Sequence, residues 1–166
     1  MERTATIATP YANLIVWLED HEVPFEVHEH PLTFTAEAAA HADHVDARTF
    51  AKVVGVRDAE GNRILVVIDS TDRVDLVRLA AHLGVDWVTL LSEDEVARIL
   101  PECEVGTIPP IPEIALAPVY ADEAVRSDEQ ISFHAGSHRH AVRVDRAAWE
   151  RAAGIRYGTF ARVRED

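Results

Sequence analysis

Two apolar runs joined by a short polar segment constrain the fold of this chain most strongly. The segment "AEGN" (59–62) separates "RTFAKVVGVRD" (48–58) from "RILVVID" (63–69). Runs rich in Val and Ile on either side of a short Gly-containing turn predict a β-hairpin. The next stretch, "STDRVDLVRLAAHLG" (70–84), has a polar start, apolar residues at helical spacing and a terminal glycine, so it predicts a helix.

The rest of the chain adds short helices and more strands. Helical patterns cover 11–21, a segment starting at Thr35, a segment from the capping box of Ser92 and Glu95 to about residue 100, and one from about residue 145. Alternating patterns predict strands in "VPFEVHEH" (23–30), "IALAPVY" (114–120), "QISFHAG" (130–136), "HAVRV" (140–144) and near "RYGTFARV" (156–163). Three prolines in four residues exclude a regular element over 104–113. Without repeats or long linkers, we predict one α+β domain over 1–166, with a mixed, mostly antiparallel sheet flanked by helices.

The charge of the chain limits its partners. A net charge of −13 argues against non-specific nucleic-acid binding, because an acidic surface repels phosphates. The charge is uneven: residues 1–133 hold 9 Lys and Arg against 25 Asp and Glu, whereas residues 134–166 hold 7 Arg against 4 acids. The C-terminal part is therefore the candidate phosphate-facing region, unless its arginines only pair with the excess acid.

The sequence also indicates a compartment. Its longest apolar runs are far shorter than a membrane span, and "MERTATIATP" at the N-terminus lacks the apolar core of a secretory signal. The single cysteine, Cys103, cannot form an internal disulfide, which suits a reducing environment. We therefore expect a cytoplasmic protein with no membrane partner.

Lys52 is the only lysine of the chain, and the other fifteen cationic side chains are arginines. In an extended strand Lys52 shares a face with Phe50, Val54 and Val56, which are bulky and apolar. A buried ammonium is costly unless an anion meets it, and the neighbouring sequence offers no obvious anion. A ligand phosphate or carboxylate is one candidate partner. The alternative is a lysine whose ammonium reaches water from the edge of the sheet.

The segment "GTIPP" is the second candidate. Gly106 permits a positive φ or a close approach of the backbone, and Pro109 and Pro110 stiffen the end of the segment. The amides of Thr107 and Ile108 could then face a ligand oxygen and stabilise negative charge that develops on a carbonyl. The alternative is a rigid turn between two elements.

The segment "FHAGSHRHAVRV" (133–144) is the third candidate. A small turn that contains Gly136 joins two strands and carries Ser137, His138, Arg139 and His140. These side chains could hold a phosphate or the ribose of a nucleotide. The alternative is the ordinary polarity of an exposed hairpin.

Other kinds of site find little support in the sequence. Zinc needs three or four convergent ligands, whereas His28 with His30 and His138 with His140 form only pairs and no C-x-x-C is present, so we expect no metal. The chain has no Walker loop, no dinucleotide fingerprint and no G-x-S-x-G elbow, and no motif surrounds Cys103. We therefore predict neither a cofactor nor a protein nucleophile.

Taken together, these segments resemble the YbaK/prolyl-tRNA-synthetase-associated family of aminoacyl-tRNA deacylases, over about residues 11–163. The matching segments occur in the family's order: "LIVWLEDHEVPFEVHEHPLTFTAEAAA" (14–40) with its H-P…T-x-E-x-A pattern, "RTFAKVVGV" (48–56) with the family's lysine, "ILVVIDSTDRVDLVRLAAHLG" (64–84), "VGTIPP" (105–110) as the G-x-x-x-P loop, and "ISFHAGSHRHAVRV" (131–144) as the F-x-A-G hairpin.

The resemblance implies a function and a set of site residues. Such proteins hydrolyse the ester between a wrong amino acid and its tRNA, and the chain is similar to the free-standing kind that edits in trans. Lys52 matches the lysine near the terminal nucleotide, while Gly106 and Pro110 match the ends of the loop that positions the aminoacyl group. The catalytic set is therefore Lys52, Gly106, Thr107 and Ile108, and the substrate-binding set is Pro109, Pro110, His30, Phe34, Gly136, Ser137 and His138. A ribose hydroxyl of the substrate and a bound water are implied to take the place of a nucleophile.

Alternatives to this function remain open. Some relatives carry a serine and an aspartate in the late hairpin, whereas here Ser137 is displaced and no aspartate occurs before Asp145. That departure favours a non-catalytic module that binds a nucleotide or an aminoacyl-tRNA and docks to a synthetase. A hydrolase of some other small ester is a third hypothesis. The expected partners are the acceptor end of a mischarged tRNA and an aminoacyl-tRNA synthetase.

Overall fold

The structure is a computed structural model that describes residues 9–163. Most of the N-terminal stretch that we used to exclude a secretory signal, residues 1–8, lies outside this range. The helices are α1 (Pro10–Asp20), α2 (Ala36–Ala42), α3 (Leu76–Leu83), α4 (Glu93–Ile99), α5 (Pro112–Ala115), α6 (Glu123–Arg126) and α7 (Arg146–Ala153). The strands are β1 (Phe25–Glu29), β2 (Ala51–Asp58), β3 (Arg63–Asp69), β4 (Asp72–Val74), β5 (Val88–Leu90), β6 (Val119–Asp122), β7 (Gln130–Ser137), β8 (His140–Asp145), β9 (Arg156–Gly158) and β10 (Ala161–Val163).

The strands form three sheets. Five strands pair in the order β5-β2-β3-β6-β9, three in the order β1-β8-β7, and β4 pairs with β10. Only the β3–β6 and β6–β9 pairs are parallel among the described strands. An isolated bridge between Phe50 and Ser132 joins the start of β2 to β7. The predicted α+β class with a mixed, mostly antiparallel arrangement is confirmed, although the strands are divided among three sheets.

The predicted hairpin is the centre of the molecule. β2 and β3 pair in register from Ala51 with Asp69 to Arg57 with Arg63. Gly61 takes a φ of +86° in the connecting turn, and the Asp58 carboxylate accepts hydrogen bonds from the amides of Glu60 and Asn62. A positive φ costs glycine little, so the turn that the sequence predicts forms as expected.

Strand β3 is buried on both faces, which explains its uninterrupted apolar run. Leu65 and Val67 belong to one core cluster, whereas Ile64, Val66 and Ile68 belong to another. The first cluster fills the space toward α1, β7 and α7, where Leu14, Phe133 and Trp149 are fully buried. The second packs under α3 with Leu79 and Phe160. A strand covered on both sides needs apolar residues at every position rather than at alternate ones.

One predicted strand begins as a helix. We predicted a strand over 114–120 and no regular element over 104–113, but Pro112–Ala115 forms the short helix α5 and the strand starts only at Val119. Pro112 occupies the first turn of α5, where its fixed φ suits a helix and its missing N–H would have had no helical partner. Leu116 then ends the helix with a φ of +57°. The prediction was wrong because it treated the prolines only as breakers.

No helix among residues 9–163 is both long enough and apolar enough to cross a membrane.

Trp149 ties α7 to the proline-rich loop, and its replacement tests this link. Its indole Nε1 donates a hydrogen bond of 3.0 Å to the carbonyl oxygen of Pro110, and its side chain is fully buried. We expect Trp149→Phe to lower the free energy of unfolding by about 2 kcal/mol or more, because it leaves a buried carbonyl without its donor and opens space in the core. Urea denaturation measures this change. Trp87→Phe is the matched control, since Trp87 is half exposed, and equal losses in the two variants would contradict the assignment.

Candidate functional site

A cavity of about 420 Å³ lies beside the first half of β2. Its lining comes from residues 34–37 at the start of α2, from residues 51–55 of β2, from the β5–α4 connection and from the loop around Gly106, with Ser70 and His134 completing it. The ladder from β5 reaches β2 only at Val56–Asp58, so the strand opens to the cavity before that point. The cavity thus occupies the gap where a neighbouring strand ends.

Lys52 lines this cavity. It is half-buried, stands opposite Ile68 in the β2–β3 ladder, and its ammonium Nζ donates a 2.6 Å hydrogen bond to the carbonyl oxygen of Asp72. Phe50 and Val56 on the same face are fully buried. The backbone of β4 therefore anchors the ammonium beside the cavity, and this carbonyl is a partner that the neighbouring sequence did not reveal.

Acidic side chains surround the strand ends behind Lys52. Burial, together with the nearby carboxylates of Asp128, Asp72 and Asp122, raises the pKa of Asp69 to about 7, while Arg48 opposes the rise. Burial and Asp122 also raise the pKa of Asp72, against the effect of Lys52. A cation is favoured in such surroundings, since its positive charge offsets several negative ones.

The loop around Gly106 is a tight turn whose polar groups are largely used inside the protein. Gly106 has a φ of +83°, as predicted for a position that favours glycine. The amide and the hydroxyl of Thr107 both donate to the carbonyl oxygen of Glu104, at 3.2 and 2.7 Å. The prediction that the Thr107 amide faces a ligand oxygen was therefore wrong: Thr107 is fully buried and stabilises the turn.

The residues after Thr107 form one wall of the cavity and the packed layer next to it. Ile108 lines it, whereas Pro109 and Pro110 are buried behind it and do not reach its surface. The Pro110 carbonyl is held by Trp149, and the Pro109 carbonyl accepts from the Ile111 amide at 2.8 Å. The two prolines thus position the loop rather than contact the space in which a ligand would bind.

The β7–β8 turn joins the loop around Gly106 to the segment that precedes α2. Gly136 donates from its amide to the Thr107 carbonyl at 2.9 Å and accepts from the Glu104 amide at 3.1 Å. The His138 amide donates to the Glu104 carboxylate at 2.9 Å. On the other side, the amides of His30 and Thr33 donate to the carbonyls of Arg139 and His138, at 3.0 and 3.3 Å. We call this set of backbone contacts the hairpin clamp.

Three histidines pack together beside the cavity. The His134 ring lies 6.3 Å from that of His30, 5.7 Å from that of His138 and 5.2 Å from Phe50, between ring centroids. Burial, together with the neighbouring His138 and His30, lowers the pKa of His134 to about 4, so His134 is neutral at pH 7. His138 also packs on Phe34 at 5.3 Å. His30 and His138 therefore support the site without lining it.

Ser137 lies away from the cavity. Its hydroxyl shares a 2.7 Å hydrogen bond with Nδ1 of His140 and accepts from the Arg139 amide at 3.2 Å. Nε2 of His140 lies 3.7 Å from the carboxylate of Glu29. These contacts order the hairpin turn, and the structure does not bring Ser137 to the cavity surface.

The sequence thus identified part of the cavity. Of the residues predicted for the site, Phe34, Lys52, Gly106 and Ile108 line it. The predicted residues that do not line it are His30, Thr107, Pro109, Pro110, Gly136, Ser137 and His138. Sequence reasoning missed Glu37, Ser70, Glu93 and His134, which line it too. The quoted motifs contain Glu37 and His134, so their membership in these segments was the available signal. Within residues 9–163, no three His, Cys, Asp or Glu side chains converge as metal ligands would.

Comparisons with known proteins agree on a family and a fold. The family model for the aminoacyl-tRNA editing domain matches residues 30–152. No curated protein matches the chain. Among solved structures, the hypothetical protein APE2540 aligns with a TM-score of 0.80 at 20% identity, over 90% of this chain and 99% of that one. A proposed trans-editing enzyme for prolyl-tRNA synthetase aligns with a TM-score of 0.78 at 20% identity, over 95% and 99%. A structure from a study of epitope grafting onto scaffold proteins aligns with a TM-score of 0.78 at 21% identity, over 94% of this chain and 99% of that one. At such identities these structures show the fold.

Replacement of Gly136 tests the hairpin clamp. A Cβ at this position would lie 2.9 Å from Cβ of Pro10, and its φ of +90° disfavours any other residue. We expect Gly136→Ala to lower the free energy of unfolding by about 1–2 kcal/mol because of the positive φ. The overlap of the new Cβ with Pro10 should lower it by about a further 1–3 kcal/mol. Gly61→Ala is the matched control, because Gly61 has a φ of +86° but open space around it. Chemical denaturation measures both variants, and equal losses would contradict the close packing of Gly136.

Asp69 predicts a specific dependence of stability on pH. In the folded state the pKa of Asp69 is about 7, whereas in the unfolded chain we expect the ordinary aspartate pKa of 3.8. Between pH 3.8 and pH 7 the folded state binds more protons at Asp69 than the unfolded state does. The contribution of Asp69 to the free energy of unfolding is therefore complete below pH 3.8 and is lost as the pH rises through 7. We therefore expect Asp69→Asn to gain stability over the wild type as pH rises from about 5 to about 8. Denaturation at a series of pH values would contradict the shift if the difference stayed constant.

Proposed function

The chain belongs to the aminoacyl-tRNA editing domain family, and from that premise we propose that it hydrolyses the ester of a mischarged small amino acid on tRNA. The observation that carries the proposal is the cavity beside β2, which brings Lys52, Gly106, Ile108 and Phe34 to one surface. We further propose that the protein acts in trans, on tRNA that a synthetase has already released. A fold similar to that of a proposed trans-editing enzyme for prolyl-tRNA synthetase supports this extension.

The proposed reaction needs no protein nucleophile. A water molecule adds to the ester carbonyl, the bond from the carbonyl carbon to the ribose oxygen breaks, and that oxygen takes up a proton. The products are the free amino acid and tRNA with a free terminal hydroxyl. Cys103 is unsuited to attack, because burial raises the pKa of its thiol to about 11. An aminoacyl ester has a good leaving group, so positioning of the ester and the water can supply much of the acceleration.

The residues of the cavity divide the task. Lys52 presents a point charge to the phosphate of the terminal nucleotide, held in place by the Asp72 carbonyl. Gly106 lets the ester approach the loop, and the amide of Ile108 stabilises the negative charge that develops on the carbonyl oxygen. Phe34, which is 72% exposed, offers its ring to the terminal ribose or base. Thr107, Pro109 and Pro110 keep the loop rigid, and His30, Gly136, Ser137 and His138 order the turn that holds it.

Selection of a small amino acid follows from the shape of the site. Ile108, Val96 and Val105 contribute apolar side chains to the lining of the cavity. Exclusion of a larger side chain by contact with such residues is easier than rejection of a smaller one. The tRNA itself must approach an acidic protein, so binding depends on local cations such as Arg139, which is exposed at the tip of the hairpin turn. The proposed site of action is the cytoplasm.

Deacylation assays test the function and the role of Lys52 together. The substrates are tRNAs mischarged with Ala, Ser, Cys, Thr or Pro, and the proteins are the wild type, Lys52→Ala and Lys52→Arg. We expect the wild type to hydrolyse one or two of these esters, and Lys52→Ala to lose roughly 100-fold in kcat/KM, because charge stabilisation near a reacting centre is typically worth that much. Lys52→Arg should recover only part of the loss, since a guanidinium does not fit a site shaped for an ammonium.

The outcomes of this assay separate the hypotheses. Full activity in Lys52→Ala, with its free energy of unfolding unchanged, would contradict the role of Lys52. Binding of tRNA without hydrolysis of any ester would instead favour a non-catalytic module that docks to a synthetase. The internal use of the Thr107 amide is the observation that supports this second candidate, since it removes one expected donor to the oxyanion. Hydrolysis of small esters that is insensitive to salt and to tRNA would favour a different hydrolase.

A further inference from the structure

The cavity carries both signs of charge. Among its described lining residues, the cation is Lys52 and the carboxylates are Glu37, in the first turn of α2, and Glu93, at the start of α4. His134 contributes no charge at pH 7, because its pKa is lowered to about 4. The remaining lining is uncharged. A ligand that complements this surface carries an anion and a cation within one small group.

Aminoacyl-tRNA has that pair of charges at its 3′ end. The phosphate of the terminal nucleotide is the anion, and the α-ammonium of the esterified amino acid is the cation. If Lys52 faces the phosphate, a carboxylate of the same lining is the group that suits the ammonium. The pairing of opposite charges in a partly enclosed space is stronger than the same pairing in bulk water.

Glu37 suits this role better than Glu93. Glu37 is half-buried, so a charge on it is less screened by water, whereas Glu93 is exposed. The helix that carries Glu37 is held firmly, because Ala36 and Ala39 are buried beneath it and the Thr35 hydroxyl caps it by accepting from the Ala38 amide at 3.0 Å. A carboxylate on a fixed element loses little freedom when it binds a ligand.

We propose that Glu37 binds the α-ammonium of the aminoacyl group and thereby restricts the substrates to esters of amino acids with a free α-amine. This inference rests on the proposed function. The α-ammonium of the ligand binds to the Glu37 carboxylate in addition to the contacts that Glu37 makes within the protein. Esters whose nitrogen is acylated, such as peptidyl or formylated forms, lack the charge and carry added bulk, so they are poor substrates.

A cycle that changes the charge on both partners tests the inference. The substrates are alanyl-tRNA and lactyl-tRNA, which differ only in the replacement of the α-ammonium by a hydroxyl, with the matching pair for the best amino acid of the panel if that is not alanine. The proteins are the wild type, Glu37→Gln and the matched control Glu93→Gln. The readout is the ratio of kcat/KM for the charged and neutral esters, divided by the ratio of their spontaneous hydrolysis rates, because the ammonium itself makes the ester more reactive.

We expect the wild type to prefer the charged ester by about tenfold or more after this correction, as a hydrogen bond to a charged group commonly provides. Glu37→Gln should abolish the preference, Glu93→Gln should keep it, and Glu37→Asp should retain part of it. An equal preference in the wild type and in folded Glu37→Gln would overturn the inference and leave the proposed function intact. Failure of the wild type to hydrolyse any charged ester of the panel would overturn the proposed function as well.

Discussion

The two backbone hydrogen bonds of Gly136 are the contacts on which the site most depends. They join β7 to the carbonyl of Thr107 and the amide of Glu104, so a strand holds the loop around Gly106 in addition to the loop's own hydrogen bonds. The same turn holds the segment before α2 through His30 and Thr33. Three segments far apart in the chain therefore share one rigid support. Any side chain at Gly136 would meet Pro10 in α1, which is why the support needs glycine.

Lys52 reaches the cavity by an independent route. The β2–β3 hairpin fixes its backbone, and the carbonyl of Asp72 fixes its ammonium. The hairpin clamp positions the loop around Gly106, and the β2–β3 hairpin positions the ammonium of Lys52. The cavity is the space between the loop and β2. Such a division suits a reaction whose main requirements are orientation and stabilisation of charge, because neither group has to form a covalent bond to the substrate. Glu37 on α2 adds a carboxylate to the lining of the same cavity.

Local patterns predicted most of the fold, whereas long-range contacts decided the site. The β2–β3 hairpin, α3 and the capping box at Ser92 follow from neighbouring residues, so the sequence was sufficient for them. The start of α5 was missed because a proline at the first turn of a helix looks like a breaker in isolation. The Thr107 amide was misassigned because its acceptor, the Glu104 carbonyl, depends on the conformation of the turn. Lys52 could be singled out by composition, but Glu37 and His134 could not, since one is an ordinary helical glutamate and the other lies among eight further histidines.

The central claim is that the aminoacyl end of tRNA binds in the cavity beside Lys52, and the composition of the chain permits a direct test. Because Lys52 is the only lysine, isotope-labelled lysine gives a single side-chain signal in the NMR spectrum of the whole protein. Titration would use an aminoacyl-adenosine phosphate in which a stable amide replaces the ester. We predict a saturable shift of the Lys52 signal with the same dissociation constant that calorimetry reports for the analogue. Saturable binding by calorimetry with an unchanged Lys52 signal would place the ligand elsewhere and contradict the account.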